Sequence, residues 1–179
     1  MACLLFNKTI ATACRNSTPG VSEIYIANYA DITTVAYNAG LTQISAITGQ
    51  TASGATSGFF YTLAVNRESS GFVDNTDISV PDGRASFIPT MTLKLGGMSS
   101  DVREIFKSLA QARVVAMFKT TSGEYFIAGI NNGLDMSTGT FSTGVARADF
   151  KGLEVTLEGL EAEPIIPVDP TIVAAMLVA

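Results

Sequence analysis

Residues 99–120, SSDVREIFKSLAQARVVAMFKT, contain the change of pattern that decides the fold. Over residues 101–111 apolar side chains recur every three or four positions, the period of an amphipathic helix. After Arg113 the sequence VVAMFKT is apolar at consecutive positions, which is typical of a strand covered on both faces. We therefore predict a helix over about residues 101–112 that packs beside a central strand. Its core face consists of Val102, Ile105, Phe106 and Leu109.

The ends of this helix are marked by local signals. Ser99 or Ser100 can supply the N-cap hydroxyl, which accepts a backbone N–H of the first turn. Asp101 and Glu104 place negative charge where the helix dipole favours it. Capping, charge and periodicity thus agree on where the helix begins.

Strands are predicted on both sides of the helix. Residues 86–95 and 152–161 alternate between apolar and polar side chains, as half-buried strands do. Residues 114–120 and 124–130 are joined by Thr121-Ser122-Gly123 and are interpreted as a central hairpin. The fold class that follows is mainly β: a β-sandwich or barrel with one flanking helix.

The chain is divided into a central domain and two arms. Residues 21–164 form the predicted sandwich or barrel, residues 1–20 an N-terminal arm and residues 165–179 a C-terminal arm. The segment 48–58 is rich in Gly, Ser and Thr and carries no charge. With strands before and after it, we expect this segment to form an extended hairpin arm.

Composition argues against several classes of chemistry. The net charge is −5, and residues 149–179 carry the acidic excess, so no basic surface for phosphates is expected. Histidine is absent, and Cys3 and Cys14 fit neither a zinc site nor a disulfide framework, so they are interpreted as reduced thiols. No apolar run reaches the length of a membrane span. We predict a protein that is not an enzyme and has no catalytic residue, cofactor or metal.

Two carboxylates stand out on the last strand. Glu154 and Glu158 fall on one strand face, about 13 Å apart at the usual rise per residue. That separation is too large for an acid/base pair acting on one bond. They are interpreted as part of an exposed polar face, or as acids on a surface that must not bind polyanions.

Several stretches together resemble a known family. The central hairpin VVAMFK–TTSGEYFIAGINNGL, the closing segment STGVARADFKGLEVTLEGLEAEP and the opening GVSEIYIANYADI look like the major tail tube protein of long-tailed bacteriophages, especially those infecting Bacteroidetes-type hosts. The resemblance covers residues 20–28 and 91–164 and consists of strand, turn and helix patterns.

The resemblance implies a virion protein, assembled in the host cytoplasm, whose hexameric rings stack into a tube. In that family a sheet of each subunit joins those of its neighbours to line the lumen, a long hairpin or loop contacts the next ring, and DNA passes without specific binding. Other tail proteins are implied partners and no membrane is. Glu154 and Glu158 are the lumen-charge candidates, and residues 171–179 could form a second linking arm. The inter-ring candidates are Thr48, Gly49, Gln50, Thr51, Gly54, Gly58 and Phe59.

Two other readings stay open. One is a different virion component, such as a tail terminator, a connector ring or a capsid decoration protein. The other is a carbohydrate-binding β-sandwich, which would expose aromatic side chains. The dense aromatic cluster of the sequence, Phe59-Phe60-Tyr61, is the candidate for such a platform.

Overall fold

The computed structural model describes residues 19–40, 42–52, 57–64, 69–79, 83–146 and 149–178. Cys3, Cys14, Gly54 and the predicted N-terminal arm up to residue 18 lie outside these residues. In chain order the elements are β1 Val21–Asn28, β2 Ile32–Tyr37, β3 Ile44–Gly49, β4 Tyr61–Leu63, β5 Gly71–Ser79, β6 Arg84–Gly96, α1 Ser100–Gln111, β7 Val114–Thr120, β8 Tyr125–Ala128, β9 Asp135–Ser142, β10 Gly152–Glu158, β11 Ile166–Val168 and α2 Pro170–Met176.

The strands form two sheets, which confirms the predicted mainly β fold with a flanking helix. One sheet has seven strands in the order β2-β3-β11-β8-β7-β1-β4. The other has four strands in the order β5-β6-β10-β9 and is antiparallel throughout. In the larger sheet the neighbours are antiparallel except β3 and β11.

The seven-stranded sheet has an apolar core on each face. The first core lies between the two sheets, and β7 contributes Ala116 and Phe118 to it. The second core lies on the opposite face of the same sheet, where β7 contributes Val115 and Met117. Five consecutive residues of β7 are buried, which confirms the prediction of a strand covered on both faces.

Helix α1 closes one side of the first core. The Ser99 hydroxyl accepts the N–H of Val102 at 3.3 Å, so the first of the two predicted caps is used. Leu109 is buried, while Val102, Ile105 and Phe106 are half-buried against the first core. The Phe106 ring lies so close to Gly139 of β9 that a Cβ there would come within 2.5 Å of it.

The predicted hairpin arm around residues 48–58 is wrong in its flanking strands. β3 and β4 belong to one sheet but lie near its opposite edges, separated by four other strands. The Ala52 N–H donates to the Gly58 carbonyl at 2.9 Å, so these two residues lie side by side, and residues 53–56 between them are outside the described part of the chain. The physical reason is burial: Ile47 before the loop and Phe59 after it both enter the second core, which holds the two ends against the domain.

The segment predicted as a C-terminal arm, residues 165–179, packs on its own domain over the residues described. β11 is inserted between β3 and β8, and α2 follows with the Asp169 side chain as its N-cap. Val173 and Met176 of α2 are buried in the second core. The segment folds back because its apolar side chains cover the face of the seven-stranded sheet that lies away from the four-stranded sheet. Pro170 favours the start of a helix at that point.

The β5–β6 hairpin extends past the rest of its sheet. β6 has 13 residues, but β10 pairs only with its second half, from Thr90 to Gly96. Phe87 still pairs with Glu161. Beyond it residues 77–79 pair with residues 84–86, and no further strand of the described residues lies beside them. We call these two short stretches the hairpin tip.

Candidate assembly surfaces

One face of the four-stranded sheet is polar, and we call it the polar face. Along β10 the apolar side chains of Leu153, Val155 and Leu157 are buried in the first core, and the alternate residues point the other way. Cross-strand register places the remaining members beside them. The polar face comprises Thr90, Thr92, Lys94, Asp135, Thr138, Thr140, Glu154, Thr156 and Glu158.

Threonine hydroxyls dominate this surface. Thr92, Thr156 and Thr138 lie opposite one another on three neighbouring strands and form a row across the sheet. The two α-helices pack elsewhere, α1 against the first core and α2 in the second. The polar face is therefore a broad hydroxyl-bearing surface of strand residues.

The structure places both predicted lumen carboxylates on the polar face and gives them different surroundings. Lys94 Nζ lies 3.0 Å from Glu154 Oε1, so this carboxylate is paired with a cation of the neighbouring strand. Glu158 is exposed, and within the described part of the chain no cation lies at salt-bridge distance from it. The local charge is thus weakly negative. Of the two carboxylates, Glu158 is the stronger candidate for a lumen charge, because Glu154 is paired with Lys94.

The four-stranded sheet ends in two long edge strands. β5 has nine residues and β9 has eight, and each pairs on one side only among the described residues. An edge strand presents unpaired N–H and C=O groups that can pair with another chain. β5 also exposes Val73 and Ile78, at 56% and 63% of their surface. By comparison, the edges of the seven-stranded sheet, β2 and β4, have six and three residues.

The predicted inter-ring residues do not form one exposed surface. Phe59 is 6% exposed and belongs to the second core. A Cβ at Gly58 would lie 2.1 Å from the carbonyl oxygen of Leu177, so this glycine permits the chain after α2 to pass close by. The Gln50 N–H donates to the Asp31 carbonyl at 2.7 Å. Thr48 and Gly49 end β3, Thr48 with its hydroxyl against that of Thr34, and Thr51 is exposed.

No signal in the sequence points to the buried carboxylate near the junction of the two sheets. Glu161 is 5% exposed, and its carboxylate accepts the N–H groups of Asn131 and Asn132 at 3.2 and 3.1 Å. The turn signal Asn131-Asn132-Gly133 was visible in the sequence. Its partner was not, because Glu161 lies about thirty residues further along the chain.

A second polar cluster lies on β1, β7 and β8. The Tyr25 hydroxyl donates to Glu23, and Lys119 Nζ lies 3.1 Å from the same carboxylate. These two contacts, led by the Tyr25 hydrogen bond, lower the pKa of Glu23. Burial, followed by the bond to Glu23, raises the pKa of Tyr25. The cluster ties neighbouring strands of the seven-stranded sheet together.

Within the described residues no group of three or more Asp, Glu, His or Cys side chains is arranged to hold a metal ion. The same residues include no helix long and apolar enough to cross a membrane. Comparison of the chain with protein-family models, with curated proteins and with solved structures gave no match. What defines the molecule is its class, a two-sheet β-sandwich whose smaller sheet has a polar outer face and two long open edges.

Proposed function

We propose that the chain is a structural subunit that polymerises through the open edges of its four-stranded sheet, as a tail tube subunit of a long-tailed bacteriophage. The observation that carries the proposal is the pair of edge strands β5 and β9 at the two ends of one sheet. Pairing β5 of one copy with β9 of the next would satisfy both rows of backbone groups, and repeating this head-to-tail contact would close a ring where the rotation between copies divides a full turn.

The packing of the two sheets supports the polar face as the one that would line the bore of such a ring. One face of the four-stranded sheet is packed on the seven-stranded sheet, so the bulk of the subunit lies on that side. The polar face is left to point at the ring axis. A wall of threonine hydroxyls with Glu158 and the paired Glu154 offers no basic surface to phosphates, so DNA would pass without being held.

Stacking of rings would use the hairpin tip rather than residues 48–58. The tip projects past β10, and Ile78 and Ala85 are exposed on it. An exposed apolar side chain on a projecting hairpin is a suitable contact for the next ring. Under this proposal the protein is a virion component assembled in the host cytoplasm, with six copies per ring and other tail proteins as further partners.

Electron microscopy of the purified protein tests the proposal directly. Negative staining should show tubes of uniform diameter. Single rings would instead indicate a connector or terminator, and monomers at all concentrations would contradict assembly altogether.

A crosslinking experiment tests the edge pairing. In a background with Cys3→Ser and Cys14→Ser, the pair Asn75→Cys and Thr140→Cys places thiols on the polar-face side of β5 and β9. Oxidation should give a ladder of crosslinked species that ends at the number of subunits in the ring. The ladder should be lost on dilution to monomers before oxidation.

The matched control puts the thiols on the other sheet. Thr34→Cys and Thr62→Cys lie on β2 and β4, the edges of the seven-stranded sheet, and both sites are exposed. This pair should give no ladder. An equal ladder from the control, or none from the test pair, would contradict pairing between β5 and β9.

The carbohydrate-binding alternative receives no support from its candidate residues. Phe59 and Phe60 are buried in the second core, where their ring centroids lie 5.1 Å apart. Tyr61 alone of the three is exposed. The cluster therefore has no flat aromatic platform on which a sugar ring could stack.

A further inference from the structure

The two open edges of the four-stranded sheet are not level with each other. Through its partners on β10, β9 spans the part of the sheet between Gly96 and Thr90 of β6. β5 pairs directly with β6 and spans the part between Thr92 and Arg84. The two edge strands are therefore level with each other only from Thr90 to Thr92. Their centres lie about five residues apart, which is roughly 17 Å at the usual rise per residue.

The two edge strands also run in opposite directions. β5, β6, β10 and β9 are joined by three antiparallel pairings, so β5 and β9 of one copy are antiparallel. A rotation about a ring axis keeps the direction of every strand relative to that axis. In the proposed ring, β9 of one copy therefore meets β5 of the next as an antiparallel partner.

The alternation of side chains limits the registers that this contact can adopt. Thr138 and Thr140 of β9 lie on the polar face. Asn75 and Asp77 of β5 lie on the same face. A slip of one residue would turn the polar side chains of one strand toward the apolar side of the other. Two registers keep the polar face continuous and pair the full length of β9: the first places Asn75 opposite Thr138, and the second places Asn75 opposite Thr140.

Charge distinguishes the two registers. In the first register, Asp77 of one copy would lie level with Asp135 of the next on the polar face. Like charges directly opposite each other destabilise a pair of strands. In the second register Asp77 lies opposite Thr138, and the residue opposite Asp135 is a serine. We propose that β5 and β9 of neighbouring copies pair in the second register, with Asn75 of one copy opposite Thr140 of the next.

Apolar contact favours the same register. Ile78 is 63% exposed and lies on the apolar side of β5. In the second register it comes level with Met136 of the next copy, which packs against the first core from β9. In the first register β9 ends before it reaches Ile78. The second register therefore covers an exposed isoleucine, and Ala85 and the end of the hairpin tip remain for the next ring.

The second register also sets how the strands stand in the ring. It slides the next copy by about six residues, or roughly 20 Å along the strands, while four strands are about 19 Å wide. Inclining the strands by about 45° to the ring axis brings successive copies back to one height, so the ring closes flat. Strands in closed β-barrels are inclined by a similar angle.

Disulfide formation tests the register, which rests on the proposed function. In a background with Cys3→Ser and Cys14→Ser, Asn75→Cys is combined either with Thr140→Cys or with Thr138→Cys. Thiols directly opposite each other on neighbouring strands lie within disulfide reach, whereas diagonal thiols are too far apart. The pair at 75 and 140 should therefore give a ladder of crosslinked species severalfold faster than the matched pair at 75 and 138.

The outcomes separate the register from the assembly itself. A faster ladder from the pair at 75 and 138 would overturn the register and leave the pairing of β5 with β9 standing. Equal rates would show that the edges slide past each other and would also overturn the register. No ladder from either pair would contradict the pairing of the two edges, and the register with it.

A charge substitution gives a second measurement that needs no added thiol. In the second register Thr138→Asp places a carboxylate opposite Asp77, so it should raise the concentration needed for assembly severalfold, as measured by sedimentation. Adding Asp77→Asn should restore assembly. Thr140→Asp is the matched control, because Asn75 lies opposite it, and it should gain little from Asp77→Asn. Absence of the loss or of the rescue in Thr138→Asp, or equal rescue of both variants, would overturn the register.

Discussion

β7 of the seven-stranded sheet and β10 of the four-stranded sheet both have seven residues, yet they bury them differently. β7 has five buried residues in a row, because a core lies on each side of it. β10 buries Leu153, Val155 and Leu157 and turns the residues between them outward. The difference shows that the larger sheet is covered by a core on each face, whereas the smaller sheet is covered on one face and, among the described residues, keeps a polar face and two edges uncovered.

The largest expected effect comes from placing a charge in the doubly covered sheet. Val115 is fully buried in the second core, so Val115→Asp forces an unpaired carboxylate into an apolar interior. The cost should reach about 5 kcal/mol or more, comparable to the stability of a typical domain. Circular dichroism should show an unfolded chain at 25 °C.

A substitution to Asp on the polar face is the control. Thr138 of β9 is exposed, so Thr138→Asp should cost no more than about 1 kcal/mol, the range of strand preference. Equal destabilisation by the two variants would contradict the difference drawn between the sheets.

Two phenylalanine substitutions test the same comparison with smaller expected losses of stability. Phe60 is fully buried, and its backbone binds the chain on both sides of Leu177 through Met176 and Val178. Phe60→Ala should therefore cost about 3–5 kcal/mol by leaving a cavity beneath α2. Phe141 of β9 is 38% exposed, and Phe141→Ala should cost about 1 kcal/mol. Urea unfolding monitored by circular dichroism measures both values, and a larger loss at Phe141 would reverse the ranking.

Glu161 tests the connection between the sheets. Glu161→Leu leaves the N–H groups of Asn131 and Asn132 without their acceptor and should cost about 2–4 kcal/mol. Glu161→Gln retains one acceptor oxygen and should lose less. Chemical denaturation of both variants checks the order, and an unchanged unfolding midpoint for Glu161→Leu would show that water replaces the carboxylate.

The smallest effects concern acid stability. Asp169 accepts the N–H and hydroxyl of Thr171, and Asp149 accepts the N–H groups of Ala146 and Val145, so hydrogen bonds lower the pKa of both carboxyls. A folded-state pKa below the unfolded-state value means stabilisation that is complete above about pH 3.9 and lost as pH falls through the folded-state pKa.

Asp169→Asn and Asp149→Asn should each reduce this acid-induced loss slightly. Because both carboxylates are solvent-accessible, the reductions should be similar although one lies beside each sheet. Urea unfolding from about pH 5 down to about pH 2 measures the effect. A steeper acid loss in either variant would mean that its folded-state pKa is raised instead.

Much of the fold could be predicted from local pattern. The start of α1 follows from Ser99 and the apolar stripe, because capping and periodicity act within a few residues of each other. The strands β7 and β10 follow from their consecutive and alternating apolar residues. The outward direction of Glu154 and Glu158 follows from the same alternation along β10.

The partners of these elements could not be predicted in the same way. Residues 41–47 and 59–66 look like the two sides of a hairpin, yet β3 and β4 lie far apart in the sheet because Ile47 and Phe59 gain more by entering the second core. Residues 165–179 look like a free arm, yet Val173 and Met176 complete that core. Both placements depend on contacts between residues that are distant in sequence.

By itself, the sequence determined the class of the fold, the place of α1 and the inward or outward direction of each side chain in the clearest strands, because periodicity and capping are local. Only the tertiary structure decided that Lys94 neutralises Glu154, that Glu161 holds the 131–132 turn, and that β5 and β9 become the open edges. Those features depend on which strands become neighbours, and that choice is made by burial of apolar surface across the whole domain.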